Sequence, residues 1–294
     1  MTNINYSITI PHYNNPDLLL RMLKSIPERD DIQVIVIDDA SSAENKAKLS
    51  LLKHKNLEII SLLENRGGGY ARNVGLDAAK GRWIIGVDCD DYFSDGAFDI
   101  LDKYKDENID CLFYSVQLVD LDNNRLPKII ESTKSTLNYL EKQSDKNLFA
   151  LKYKNTVSWN KMVSMKFIKS NDIRWENCRV NIDVLFSFLV TTRMASFKII
   201  PDVLYNLVIS DNSITRTKRS LEREFQFYLA AQKRNGFFSA IGLKKYPYYR
   251  SDLLYVVYIF KKRGIRDAFC FVKMLLNRQS EIVSAKRTFL NIIK

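Results

Sequence analysis

Four times within the first hundred residues, a short β-branched run gives way to a loop and then to a segment with helical spacing. Ile4, Tyr6, Ile8 and Ile10 alternate at period two, as in a strand, and the run stops at Pro11 and at Asn14-Asn15-Pro16. Pro16 suits the first turn of a helix with the apolar stripe Leu19, Met22, Leu23 and Ile26. Ile32 to Ile37 is almost unbroken, as expected of a strand covered on both faces, and it ends in Asp38-Asp39. Ser41-x-x-Glu44 predicts a capping box opening the next helix, through Leu51 and Leu52. Leu57 to Leu62 gives a third strand, and Asn65-Arg66-Gly67-Gly68-Gly69 turns into a helix over Tyr70 to Ala79, closed by Gly81. Ile84-Ile85-Gly86-Val87 is a fourth buried strand that ends abruptly in Asp88-Cys89-Asp90-Asp91. The alternation predicts an α/β fold with a doubly wound, mostly parallel sheet flanked by helices. Ligands of such sheets sit beyond the carboxyl ends of the strands. Pro11 to Asn14, Asp38-Asp39, Arg66 to Gly69 and Asp88 to Asp91 are therefore expected to converge on one crevice.

Beyond Ser94 the pattern predicts a helix to about Tyr104, a strand over Cys111 to Val116 and a turn at Asp120 to Arg125. Lys134 to Lys154 is polar and helical, and Ser158 to Lys169 mixes Trp159, Met162 and Phe167 with lysines. A helix opening near Asp183 carries Val184, Leu185, Phe188 and Leu189, followed by strand-like Phe197 to Ile200 and Val203 to Ile209. From about Arg219 the chain is helical in pattern, with Leu253, Tyr255, Val256, Ile259 and Phe260, then Phe269, Phe271, Val272, Leu275 and Leu276, among basic residues.

Charge supports a division of the chain. Residues 216–294 hold 18 Lys and Arg against 5 Asp and Glu, while residues 1–215 hold 27 against 29, so the net +11 comes from the last quarter. A nearly neutral body with a basic helical C-terminal appendage is expected, the appendage facing something anionic or packing against the body or a second subunit of a homo-oligomer. Basic and apolar residues together suit an anionic membrane surface, and no recognised module points to nucleic acid. Four scattered cysteines and two histidines indicate neither a disulfide framework nor a zinc site. The first residues show no signal pattern, and no run approaches the roughly 18 apolar residues of a membrane span, so a cytoplasmic chain is expected, peripheral on the inner membrane face if the appendage docks there.

The residue types at the crevice suggest a chemistry. Asp88 and Asp90, two apart in extended backbone, leave on the same side and offer hard oxygen ligands suited to Mn²⁺ or Mg²⁺. Asp38-Asp39 can accept hydrogen bonds from a nucleobase or ribose, or cap the next helix, and Tyr13 offers an aromatic face. Gly67 to Gly69 let the backbone approach a ligand, and Arg72 could meet a phosphate near the positive end of its helix. His12 is a weaker candidate acid or base. No G-x-G-x-x-G follows the first strand and no G-x-x-x-x-G-K-[ST] occurs, which excludes a Rossmann dinucleotide site and a P-loop.

Ser7-Ile8-Thr9-Ile10-Pro11-His12-Tyr13-Asn14, Val36-Ile37-Asp38-Asp39-Ala40-Ser41, Asn65-x-Gly67-x-x-x-Ala71-Arg72-Asn73-x-Gly75 with Ala79-x-Gly81, and Val87-Asp88-Cys89-Asp90-Asp91 resemble the successive motifs of family 2 inverting glycosyltransferases of the GT-A fold. The resemblance covers roughly the first 100 residues and continues more weakly at Trp159-Asn160-Lys161, Asn181-Ile182-Asp183, Tyr205 and Asn212-Ser213-Ile214. It implies a nucleotide-sugar-binding half over 1–105 and an acceptor half over 106–215. Pro11, Tyr13 and Asp39 would line the base pocket, with Asp38 close by and Gly67 in the adjoining turn. Arg72 would lie near the diphosphate, Asp88 would meet ribose or metal, and Asp90 would bind Mn²⁺ or Mg²⁺. Trp159 and Asp91 would face the acceptor. The family's base is usually the Asp of a Glu-Asp pair opening a helix; Asp183 stands there, but Ile182 replaces the Glu, which leaves Asp172 and Glu176 as alternatives. The implied donor is a nucleotide sugar, expected to be a UDP-sugar, and the implied acceptor a glycan or lipid-linked hydroxyl in bacterial surface polysaccharide synthesis. Two other readings share the scaffold: a sugar-phosphate nucleotidyltransferase, which should carry a Gly-rich basic loop where Pro11-His12-Tyr13 stands, and a non-catalytic carbohydrate- or partner-binding module.

Overall fold

A computed structural model describes residues 3–122, 124, 126, 130–178, 180–209, 220–240, 242 and 252–288. The chain divides into two compact units, residues 1–213 and 214–294. The first begins with β1 (Tyr6–His12), α1 (Pro16–Lys24), β2 (Ile32–Asp38), α2 (Ala43–Leu49), β3 (Leu57–Ser61), α3 (Gly68–Ala78) and β4 (Trp83–Gly86). It continues with β5 (Tyr92–Phe93), α4 (Ala97–Asp102), β6 (Cys111–Val119), α5 (Glu131–Glu141), α6 (Asp145–Lys154), β7 (Lys161–Ser164), α7 (Met165–Ser170), α8 (Ile182–Arg193) and β8 (Phe197–Val208).

Among the described residues, eight strands form one sheet in the order β3-β2-β1-β4-β7-β6-β8-β5. The alternating first half is parallel, with β1 between β2 and β4 and β3 outside β2. The second half is mixed: β7 runs antiparallel to both β4 and β6, β6 and β8 are parallel, and β5 pairs antiparallel with β8. Every residue of β2 is buried because helices cover both faces. Leu19, Met22 and Leu23 of α1 share one cluster with Ile32, Val34 and Val36. On the other face α3 lies so close that a Cβ on Gly75 would come within 2.7 Å of the Ile37 side chain and 3.1 Å of Thr9. Register sets His12 beside Asp38 and Thr9 beside Gly86, which brings the carboxyl ends of three strands to one edge.

Several local expectations shift. The cap of α2 is Ser42, whose hydroxyl accepts from Asn45 N at 3.4 Å, because the Ser41 hydroxyl is already taken by Asn14 N at 2.8 Å. The polar helix splits into α5 and α6, and the two strand-like pieces after Phe197 are one strand, β8. Asn212-Ser213-Ile214, Arg216–Arg219 and the expected domain boundary at 215/216 lie outside the described residues.

The second unit contains α9 (Leu221–Ala240), α10 (Asp252–Arg263), α11 (Ile265–Asn277) and α12 (Gln279–Thr288). Its own core includes Phe225, Tyr228, Tyr255, Ile259, Phe271 and Ile282, with the Tyr255 and Phe271 rings stacked at 5.9 Å. Lys262 Nζ to Glu224 Oε1 at 2.8 Å and Arg278 Nη1 to Glu222 Oε1 at 2.7 Å tie the later helices to α9.

Candidate active site

At the ends of β1 and β2, His12 and Asp38 are buried side by side, with His12 Nδ1 3.2 Å from Asp38 Oδ1. Asn15 N donates to His12 Nε2 at 3.2 Å, so that nitrogen is the acceptor and Nδ1 carries the hydrogen toward Asp38. Both ring nitrogens are committed, and His12 serves as a brace rather than an acid or base. Ser41 N also donates to Asp38 Oδ1 at 3.3 Å, and Asp38 Oδ2 has no partner among the described residues. Asp39 accepts from Arg66 N at 2.7 Å and from Gly67 N at 2.8 Å. Its carboxylate therefore fastens the turn that opens α3 and does not cap α2. Gly67 itself has φ +88°, a backbone conformation that costs glycine little. Tyr13 is 48% exposed at the same edge, and Pro11 is half-buried.

The glycine run has a structural use that the sequence reading did not assign. A Cβ on Gly69 would stand 1.9 Å from the Glu176 carbonyl oxygen, so the missing side chain admits the 175–178 segment rather than a ligand. Asn73 locks that segment in both directions: Trp175 N donates to Asn73 Oδ1 at 2.9 Å, and Asn73 Nδ2 donates to Trp175 O at 2.8 Å. Ile182, which stands where the family has Glu, packs against the opening of α3, its Cδ1 3.0 Å from where a Gly68 Cβ would lie.

Arg72, expected near the diphosphate, is held by the acids around it. It is fully buried, donates from Nη1 to Val87 O at 3.1 Å, and pairs through Nη2 with Asp88 Oδ1. Its Nε lies 3.6 Å from Asp183 Oδ1. Burial works against the guanidinium charge, but Asp183 and Asp88 outweigh it and raise its proton affinity. Asp183 also accepts from Ser158 Oγ at 2.9 Å. Asp172, one of the two alternatives to it, is exposed on a turn with φ +46°.

Asp88, Asp90 and Asp91 each offer an oxygen within 4.8 Å of the others, the group best suited to hold a cation among the described residues. A turn gathers them, with Asp91 N donating to Asp88 O at 3.3 Å; the extended alternation expected of Asp88 and Asp90 ends at Gly86. Asp91 is a correction: it is buried, accepts from Tyr205 Oη at 2.9 Å and from Val208 N at 2.8 Å, and thus braces the turn against β8 instead of facing an acceptor. Trp159 is a second correction, since its ring is buried and stacks on Tyr205 at 5.9 Å. Tyr205 also receives Asp88 N at 3.1 Å, a part its sequence position did not announce. Desolvation, with Asp183 and Asp90 adding to it, pushes the Asp88 carboxyl up to about 7 against the pull of Arg72. Desolvation and the neighbouring acids hold Asp91 well above the carboxylate range too. Acids crowded this way fit a hard divalent ion, which would offset their repulsion. With Arg72 on Asp88 Oδ1, the ligands available to it are Asp88 Oδ2 and the exposed Asp90 carboxylate.

An acid cluster at the carboxyl edge of a mixed eight-stranded sheet is the arrangement of a GT-A nucleotide-sugar enzyme, and comparison with known proteins agrees. Residues 7–171 match the sequence profile of Glycosyl transferase family 2, more than half of the chain, and the chain belongs to that family. Succinoglycan biosynthesis protein ExoO of Rhizobium meliloti is 34% identical over 87 residues, 29% of this chain and 25% of that protein. Poly(ribitol-phosphate) beta-N-acetylglucosaminyltransferase TarS of Staphylococcus aureus is 32% identical over 97 residues, 31% of this chain and 17% of that protein. The matched stretches thus span a quarter or less of these relatives. The structure of S. aureus TarS 1–349 in complex with UDP-GlcNAc superposes with a TM-score of 0.62 at 18% identity, covering 99% of this chain and 82% of that one. Mannosyltransferase PcManGT from Pyrobaculum calidifontis, in complex with GDP-Man and Mn²⁺, gives 0.53 at 12% identity, covering 99% and 88%. At these identities the likeness establishes the fold.

The Asp88 shift predicts how metal and pH interact. A folded carboxyl raised to about 7 holds a proton that the unfolded chain, at 3.8, has released, so metal-free stability falls as pH rises between those values. A divalent ion binds the ionised form. Millimolar Mn²⁺ is expected to raise Tm more one unit above pH 7 than one unit below it; an equal shift on both sides would contradict the assignment.

Proposed function

We propose that the chain is an inverting, metal-dependent glycosyltransferase. It moves a sugar from a nucleotide-diphosphate donor, expected to be a UDP-sugar, to a hydroxyl of a glycan or lipid-linked acceptor in bacterial surface polysaccharide synthesis. The observation that carries this reading is the pair of acids on one buried arginine: Asp88, beside Asp90, and Asp183 both lie against Arg72. Such a pairing puts a cation-binding acid and a candidate base next to each other. The names of the relatives, which concern succinoglycan and poly(ribitol-phosphate) glycosylation, support the substrate class.

In this reading Asp183 accepts the proton of the acceptor hydroxyl as the oxygen attacks the anomeric carbon. Tyr13 and Pro11 offer the base its stacking edge, while Asp39 keeps the turn at Arg66 and Gly67 in place beside it. Mn²⁺ or Mg²⁺ held by Asp88 and Asp90 would supply positive charge to the departing diphosphate. A single displacement inverts the anomeric carbon and requires no covalent carboxylate partner.

The second unit suits attachment to the inner face of an anionic membrane. Leu253, Val257 and Phe260 on α10 and Ile265, Phe269 and Leu276 on α11 are exposed at helical spacing. Lys261, Arg266 and Lys273 are exposed among them. The helices therefore carry one apolar stripe inward, on Tyr255, Ile259 and Phe271, and another outward. No helix among the described residues is long and apolar enough to cross a membrane.

A panel of nucleotide sugars with Mn²⁺ tests the activity. Release of sugar and nucleoside diphosphate is expected, with Asp90→Ala lowering turnover by about a hundredfold or more; pyrophosphate release would indicate nucleotidyl transfer, and silence a binding module. Flotation with vesicles tests the surface. Binding to phosphatidylglycerol vesicles at low salt, lost in Phe260→Glu/Phe269→Glu, is expected, and failure of the unaltered chain to bind would remove the membrane from the account.

A further inference from the structure

Asp183 opens α8, and the polar residues one and two turns further along the same helix face are Ser187 and Thr191. All three engage the stretch that runs from the last turn of α6 toward β7. Ser158 Oγ donates to Asp183 Oδ1 at 2.9 Å, Ser187 Oγ to Val157 O at 2.8 Å, and Thr191 Oγ1 to Lys152 O at 2.6 Å. From below, the buried Lys161 ammonium donates to Val157 O and, at 3.0 Å, to Asn155 Oδ1. Residues 152–158 are thus fastened to the helix that carries Asp183 at successive turns. Ser158 and Ser187, almost completely buried, have little rotational freedom left.

The contacts on Asp183 are one-sided. Ser158 donates to Oδ1, and Arg72 Nε faces the same oxygen at 3.6 Å. Oδ2 receives no hydrogen bond among the described residues.

From this geometry we infer that Ser158 is a positioning residue for Asp183: its hydroxyl occupies Oδ1 and turns Oδ2 outward as the oxygen that takes the acceptor's proton. The inference rests on the reading of Asp183 as the base. It also explains how that base is oriented with Ile182 in place of the neighbouring Glu. Ser158 takes no proton itself; it acts by fixing which oxygen is basic and where it points.

The test compares Ser158→Ala and Ser158→Thr with Asp183→Asn in the full chain, using the UDP-sugar that the panel turns over and UDP with Mn²⁺ as the binding probe. Loss of one hydrogen bond to a charged group is expected to lower kcat about tenfold or more in Ser158→Ala, with donor KM and UDP affinity within about twofold of the unaltered chain. Ser158→Thr, which keeps the hydroxyl, recovers most of kcat; a purely structural role would not produce that split and rescue. If Asp183→Asn keeps its turnover, the base reading fails. If Asp183→Asn is inactive while Ser158→Ala keeps full kcat, the positioning role fails alone. A crystal structure of Ser158→Ala judges the inference without activity: Asp183 is expected to leave its present rotamer, and an unmoved carboxylate overturns the proposal.

Discussion

A guanidinium with no exposed surface is the constraint on which the site depends. Moving the Arg72 charge out of water costs several kcal/mol, and the fold tolerates it by bringing two acceptors, Asp88 and the Val87 carbonyl, to its terminal nitrogens and a second carboxylate, Asp183, to within 3.6 Å of Nε. They come from the end of β4 and the start of α8, elements far apart in sequence. Balancing the Arg72 charge thus joins the loop after β4 to the start of α8, and the acids that balance it are those the proposed chemistry needs.

Glycines and one asparagine make that meeting possible. Gly75 lets α3 settle on Thr9 and Ile37, Gly69 admits the Glu176 carbonyl, and a Cβ on Gly86 would come within 3.0 Å of the Trp175 ring and 3.4 Å of Arg72 Nη1. Asn73 then bonds to both the N–H and the carbonyl of Trp175, as a neighbouring strand would. Helix α3 is thus the spine of the site, although its glycine run reads as room for a ligand.

The parallel half was legible because its strands are either apolar runs or alternate at period two, and α1 carries a stripe at 3.6 spacing. The loops at the carboxyl edge followed from that topology. The mixed half was harder to read: β5 is two residues long, β7 is four, and neither has a period of its own. Within the site, the clustering of Asp88, Asp90 and Asp91 was readable and the direction of the side chains was not. Asp91 and Trp159 were expected to face an acceptor, yet Tyr205, more than a hundred residues beyond Asp91, draws both inward. Arg72 was expected near the diphosphate, and nothing in the local sequence reveals that Asp183 lies 3.6 Å from its Nε. Ser158 carried no signal, since its role exists only through α8. In the second unit the apolar residues were legible, but one sequence of leucines and phenylalanines serves both the inward and the outward stripe, and only packing separates them.

The central claim is that Asp88 and Asp183 form one unit through Arg72. A double-mutant cycle on unfolding free energy, using Asp88→Asn, Asp183→Asn and the pair in metal-free protein, measures it most directly. The account predicts non-additivity of about 1 kcal/mol or more, because the second neutralisation leaves the buried charge with no carboxylate partner. Effects that add to within about 0.5 kcal/mol would mean that the two acids do not share the arginine.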